Sequence, residues 1–242
     1  MAQIISIVSG KGGVGKSTIC VGIADALAEQ GKKVLVLELS FGMRVLDVML
    51  GVENDAAYDI GDVLTEVCDI STAAITSANN KNLDVIVATP NPTLYNERAL
   101  ANLCKDIRSL YDFVIIDNLS GVGETVLASV SFSDLVLFAT IPEFISVRGT
   151  AMFAELLEDY LKRCRLIINK ADSFSLKSSE ITDLDDVIDR VGVQLLGAIP
   201  DDKMFEDNFS VGKSLPPNSL QKKIFDSIAR RILGEYIPLN IK

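Results

Sequence analysis

Gly10-Lys11-Gly12-Gly13-Val14-Gly15-Lys16-Ser17-Thr18 satisfies G-x-x-x-x-G-K-[ST], the pattern of a loop that cradles nucleotide phosphates. Its surroundings fit. The apolar run Ile4 to Val8 reads as a strand leading into it, and Ile19, Ile23, Ala24 and Leu27 recur at helical spacing after it. Strand, glycine turn and helix N-terminus together aim backbone N–H groups and the helix dipole at one anion. Gly10, Gly12, Gly13 and Gly15 are read as positions of free φ and close backbone approach. Lys16 is expected at the β- and γ-phosphates and Ser17 on Mg²⁺, with Thr18 donating to the α-phosphate. Lys11, a second lysine within the loop, reads from spacing alone as a solvated surface residue.

Composition removes several kinds of chemistry. The chain has 242 residues, 48% of them hydrophobic and none of them histidine, and a net charge of −10. Without histidine, Ser-His and Cys-His machinery is excluded, and the usual general base is absent. The four cysteines (Cys20, Cys68, Cys104 and Cys164) contain no C-x-x-C pair and read as buried, reduced thiols rather than a zinc site. Nonspecific DNA binding needs cations against phosphates, so so acidic a chain is not expected to bind DNA. No apolar stretch approaches about 20 residues and no signal sequence precedes the first strand, so a cytoplasmic protein is expected.

Strands are expected near 3–9, 33–39, 83–89, 112–117, 134–140, 165–169 and 194–199, with helices near 16–30, 96–109, 122–131, 147–162, 183–191 and 218–234. Near-continuous apolar runs such as Val34 to Leu37 and Phe113 to Ile116 suit strands covered on both faces. This alternation predicts an α/β fold: a doubly wound, mostly parallel sheet with helices on both faces, formed by residues 1–242 as one domain. Ligands in such sheets bind beyond the carboxyl ends of the strands. One further motif lies there: Phe113-Val114-Ile115-Ile116-Asp117, an apolar strand ending in a carboxylate of the Walker B kind, which makes Asp117 a second Mg²⁺ residue. Gly121 follows and is placed to offer its backbone N–H to the γ-phosphate.

Lys11-Gly12-Gly13-Val14-Gly15-Lys16-Ser17-Thr18 resembles the deviant Walker A motif of the MinD/ParA ATPases. Phe41-Gly42-Met43-Arg44-Val45-Leu46-Asp47, Ile141-Pro142-Glu143-Phe144-Ile145-Ser146-Val147-Arg148 and Leu196-Gly197-Ala198-Ile199-Pro200-Asp201-Asp202 are similar to segments of its MinD-like members. The resemblance runs from about residue 2 to about residue 235. It implies a P-loop ATPase that forms a homodimer sandwiching ATP and Mg²⁺, with Lys11 reaching the partner's nucleotide. A regulatory role in cell division or related machinery follows, with a protein partner of unknown identity.

The departures bear on hydrolysis. The family carries Asp-x-Asp after its second strand, where this chain reads Glu38-Leu39-Ser40, so the water-ordering position is held by the neutral Ser40. Glu38, Asp47 and Glu124 are the alternative carboxylates, and a non-hydrolysing ATP-sensing scaffold is the competing reading. Asp117-Asn118-Leu119-Ser120-Gly121 stands where Asp-x-Pro-Ala-Gly is usual. Asn169, ending a strand, is a base-contacting candidate. It also opens Asn169-Lys170-Ala171-Asp172, which spells the guanine-reading N-K-x-D and keeps a GTPase open, although the longer resemblance favours ATP. Leu220, Ile224, Ile228 and Ile232 form an apolar stripe expected to pack on the sheet as the last core helix. A membrane role is not supported by the C-terminus, because residues 234–242 are too few, and Pro238 too disruptive, for a further helix.

Overall fold

The computed structural model describes residues 1–41, 44–91, 97–172 and 181–239. Its strands are β1 (Gln3–Val8), β2 (Val34–Glu38), β3 (Ile75–Thr76), β4 (Leu83–Ile86), β5 (Phe113–Asp117), β6 (Leu135–Thr140), β7 (Cys164–Asn169) and β8 (Leu195–Ile199). They form one sheet in the order β3-β4-β2-β5-β1-β6-β7-β8. Every pairing is parallel except that of β3 with β4, where a two-residue strand closes the edge. The chain winds outward from β1 in both directions, and β5 returns to lie between β1 and β2. The carboxyl ends of these three strands therefore meet below the phosphate-loop motif.

Strand residues alternate between two covered faces. Ile5 and Ile7 of β1, Val34 and Val36 of β2 and Ile115 of β5 pack with α1 (Lys16–Glu29), α9 (Lys203–Phe209) and α10 (Leu220–Ile232). On the opposite face, Ile4, Leu35, Leu37, Val114 and Ile116 meet α5 (Glu97–Ile107). Val8, Val136, Phe138 and Leu166 meet α6 (Glu124–Phe132), α7 (Phe144–Leu156) and α8 (Leu184–Val191). Burial on both sides is why these strands are apolar at nearly every position. The expected doubly wound sheet with helices on both faces is the observed architecture.

Three short helices, α2 (Leu46–Met49), α3 (Ile60–Leu64) and α4 (Ile70–Ala73), were not expected, nor were α9 and β3. Side-chain caps start several of them. Asp59 and Asp62 form a reciprocal capping box on α3, Asp69 caps α4 through Thr72 N–H, and Asp202 caps α9 through Met204 N–H. The helix expected at 147–162 starts earlier, at Phe144, and ends at Leu156. The chain then tightens into a 3-10 turn, Glu158–Arg163, whose Arg163 donates to Ser133 O (2.6 Å) and Val130 O (3.2 Å). Of the stripe expected on the last helix, Ile228 is buried and Ile224 and Ile232 pack against the core, while Leu220 is exposed; the buried face of α10 also takes in Phe225 and Ala229.

That face sits directly on α1. A Cβ added at Gly22 would lie 2.3–2.5 Å from three ring atoms of Phe225, so the helices approach as they do only because residue 22 has no side chain. Gln30 donates to Asp226 (3.1 Å), and Lys222 pairs with Glu29, alongside the same contact. Gly22→Ala is expected to lower stability by about 1–3 kcal/mol through overpacking, read as a fall in the urea midpoint at unchanged slope. Adding Phe225→Leu to the same chain should recover part of the loss.

Candidate nucleotide and metal site

The loop between β1 and α1 turns under a specific backbone demand. Gly15 caps α1 in the left-handed region at φ 88°. A side chain there would also strike Asn169, whose Nδ2 lies 2.3 Å from the added Cβ. Gly13 is left-handed as well, whereas Gly10 and Gly12 are not, contrary to expectation. Gly10 is needed for closeness: its Cβ would fall 2.3 Å from the carbonyl carbon of Gly149 on α7. Val14 is buried in the core below the loop.

Lys16 opens α1 and is buried. Its Nζ donates to Ser9 Oγ (3.0 Å) and Ser120 Oγ (2.6 Å). Burial pulls its pKa down, while the nearby Asp117 carboxylate pulls it up. Ser17 Oγ donates to Asp117 Oδ2 at 2.6 Å. The other oxygen, Asp117 Oδ1, is buried and has no hydrogen-bond partner. Burial pushes the Asp117 carboxyl up to about 6, against the Ser17 hydrogen bond and the Lys16 charge. An unpaired buried carboxylate oxygen beside a serine hydroxyl is a donor pair that suits a hard cation. Among the described residues there is no cluster of three or more potential metal ligands. Mg²⁺ does not need one, since it is commonly held by one or two protein oxygens with water and phosphate completing the shell. These residues therefore fit Mg²⁺.

Glu38 stands opposite Asp117 in the β2–β5 register and is fully buried. Its Oε1 accepts from Val45 N (2.8 Å) and Leu46 N (3.4 Å), and its Oε2 accepts from Ala88 N (3.2 Å). Burial raises its pKa to about 7 despite these backbone bonds, with Asp117 adding to the rise. Glu38 thus ties the turns after β2 and β4 together. Ser40 lies 3.4 Å from the same Oε1. Asp47 is held by Arg44 (2.7 Å to Nη2) and by Val48 N–H, and Glu124 is exposed at the start of α6.

Beside the loop lies a cavity of about 540 Å³ lined by Gly13, Gly15, Thr18, Asn169, Pro200 and Phe205, among others. Asn169 borders it; one N–H of its Nδ2 is donated to Val14 O (2.8 Å), which leaves the second N–H and Oδ1 outside that bond. Asp172 does not line this cavity, and its Oδ1 accepts the Asp201 N–H at 2.6 Å. Gly121 N–H, expected to face a phosphate, donates to Ser9 O at 2.8 Å. Lys11 turns toward its own chain, its Nζ 2.6 Å from Glu143 Oε2. The structure therefore brings Lys16, Ser17, Asp117, Thr18 and Asn169 around one loop and leaves Lys11 and Ser40 at its margins. Ser9, Ser120 and Glu143 were not anticipated, because their partners are set by the fold and not by local spacing.

A family model described as an AAA domain matches residues 2–170. The chain is 31% identical to the septum site-determining protein MinD of Bacillus subtilis (strain 168), in an alignment spanning 100% of this chain and 92% of that relative. It is also 31% identical to MinD of Helicobacter pylori, over 98% of this chain and 92% of the other. Among solved structures, the MinC:MinD cell division protein complex of Aquifex aeolicus matches with a TM-score of 0.86 at 31% identity, covering 99% of both chains. MinD of Pyrococcus horikoshii, complexed with Mg-ADP, matches with a TM-score of 0.84 at 26% identity over 96% of each. Phosphate loop, strand-end carboxylate and full-length likeness agree: the chain is a MinD-like member of the MinD/ParA family of P-loop ATPases.

Proposed function

We propose that residues 1–242 form one Mg-ATP-binding domain that dimerises on ATP, hydrolyses it slowly, and positions or regulates cell-division or related machinery through a protein partner. The observation that carries this reading is the orphaned Asp117 Oδ1 beside Ser17, with the Lys16 ammonium at the same loop. The Mg-ADP complex of the archaeal relative supports the ligand, and the MinC:MinD complex supports a protein partner. Bound Mg²⁺ would neutralise charge between the terminal phosphates. Ser17 and Asp117 hold it, Lys16 offsets phosphate charge, and the loop amides from Gly12 to Thr18 orient the phosphates. Gly121 joins them if its N–H leaves Ser9 O. Lys11, once parted from Glu143, reaches the partner's nucleotide across the dimer.

Adenine is favoured over guanine. Asp172 would have to read the base in a guanine site, and it is instead engaged by Asp201 N–H outside the cavity beside the loop. Slow hydrolysis follows from the engagement of the Glu38 and Asp47 carboxylates, with Glu124 exposed at the start of α6 as the remaining alternative. Glu38 is committed to three backbone N–H groups and Asp47 to Arg44, so Ser40 is left as the neutral group at the water-ordering position. Cytoplasmic residence belongs to the same proposal and is supported by four free thiols. Among the described residues, no helix is long and apolar enough to cross a membrane.

Titration calorimetry and light scattering test the central reading together. Mg-ATP should bind more tightly than Mg-GTP, and a nonhydrolysable ATP analogue should drive dimerisation. Lys11→Ala should keep nucleotide binding and lose dimerisation. A GTP preference, or a Lys11→Ala chain that dimerises normally, overturns the assignment.

The metal site adds a pH dependence. Asp117 must be ionised to hold Mg²⁺, and its carboxyl sits at about 6. The contribution of Mg²⁺ to nucleotide affinity should therefore be full above that pH. It should fall about tenfold per unit below it, and magnesium titrations from pH 5 to 8 would read this.

Ser40→Asp should raise the single-turnover hydrolysis rate by about tenfold or more, since positioning groups contribute on that scale. Fast hydrolysis by the native chain, indifferent to this substitution, would show that the water is ordered from elsewhere.

A further inference from the structure

Ser120 has no role in the site as proposed above, yet it is in contact with Lys16. Its side chain is exposed, and its Oγ receives the Lys16 Nζ hydrogen bond at 2.6 Å, shorter than the 3.0 Å bond to Ser9. It also faces the loop, since a Cβ built on Gly12 would lie 3.7 Å from Ser120 Oγ. Its backbone is anchored on both sides. Gly121 N–H is held by Ser9 O, and Asn118 Nδ2 donates to Ile7 O (3.2 Å) while Asn118 Oδ1 accepts from Ser129 on α6 (2.7 Å). A hydroxyl so fixed, with its oxygen taking the lysine proton, has its own O–H left to give.

Direction along the loop assigns the recipient. The cavity that suits a nucleoside is lined by Gly13, Gly15, Thr18 and Asn169, at one end of the loop. Ser120 stands over Gly12, which just precedes the first loop residue of that lining, and is in contact with Lys16 Nζ. A chain of phosphates entering from that cavity and running along the loop past Lys16 would come to Ser120 last, so that a triphosphate would meet its hydroxyl and a diphosphate would end nearer the cavity.

We infer that Ser120 is a specificity-determining residue that donates a hydrogen bond to the terminal phosphate of a nucleoside triphosphate and so distinguishes ATP from ADP. This rests on the nucleotide site proposed above. It also gives a role to a hydroxyl at a position where the family resemblance leads one to expect alanine. Ser120 and Lys16, being in contact, would act on the same phosphoryl group, the lysine as a charge and the serine as an oriented donor.

The test measures affinities of the whole chain for Mg-ADP and for a nonhydrolysable Mg-ATP analogue, in the native protein, Ser120→Ala and Ser120→Thr. The readout is the ratio of the two affinities. Any effect of losing the Lys16 contact in the free protein is common to both nucleotides and cancels. Ser120→Ala should reduce the preference for the triphosphate about tenfold, and Ser120→Thr, which keeps the hydroxyl, should restore most of it. An unchanged ratio in Ser120→Ala overturns the inference, including the case in which both affinities shift equally. A native chain that binds neither nucleotide overturns instead the proposed function on which the inference stands.

Discussion

The register of β5 between β1 and β2 is the constraint on which the site depends. Ile7 and Glu38 both stand opposite Asp117, so the carboxylate emerges where the chain leaves β1 for the phosphate loop. Side chains on a strand alternate faces, and a slip of one residue would turn Asp117 away from Ser17 and bury Ile116 in its place. The slip is opposed along the whole strand. Ile115 belongs to the core beneath α1, whereas Val114 and Ile116 belong to the core on the other face, and both sets would have to exchange. Apolar packing on both faces of β5 thus sets the position of a polar pair.

The same convergence gathers ionisable groups that burial disfavours. Lys16, Glu38 and Asp117 are all at most 9% exposed. Their pKa directions share one cause: burial lowers that of the cation and raises those of the two acids. Glu38 is compensated by backbone donors, and Lys16 by two hydroxyls. Asp117 is compensated on one oxygen only. An uncompensated buried oxygen costs free energy, and a bound cation is the natural way to recover it. The desolvation cost at Asp117 Oδ1 and the affinity for a cation there are in this sense linked.

What the sequence makes legible follows how local each feature is. The loop from Gly10 to Thr18 and the strand ending in Asp117 are contiguous, and their chemistry can be named before the fold is known. The long buried strands announce themselves by unbroken apolar runs. The short helices α2, α3 and α4 are too brief for a periodic signal; α3 and α4 start on aspartate caps, and all three bury apolar residues in the core. On α10 the aliphatic stripe is legible from Ile224 to Ile232, but Phe225 lies off it and enters a slot that Gly22 leaves open. Glu38 could be named as a carboxylate but not as a clamp, since its backbone partners lie at residues 45, 46 and 88. Gly42 and Met43, within the segment quoted for the resemblance, lie outside the described residues.

Lys11 and Glu143 bear on how readily the free chain can change partners. Their side chains are 39% and 52% exposed. An ion pair this open to water contributes about 0–1 kcal/mol, so parting it costs little. Glu143 caps α7 by position but makes no side-chain capping bond, and losing Lys11 does not strip it of a structural task. The pair therefore holds Lys11 in a defined place without fastening it. In the dimer proposed above, a phosphate group presented by the second chain would carry more charge than one carboxylate and so compete for the same cation. On that reading Lys11 would leave Glu143 only when nucleotide and partner are both present, and would couple binding to assembly.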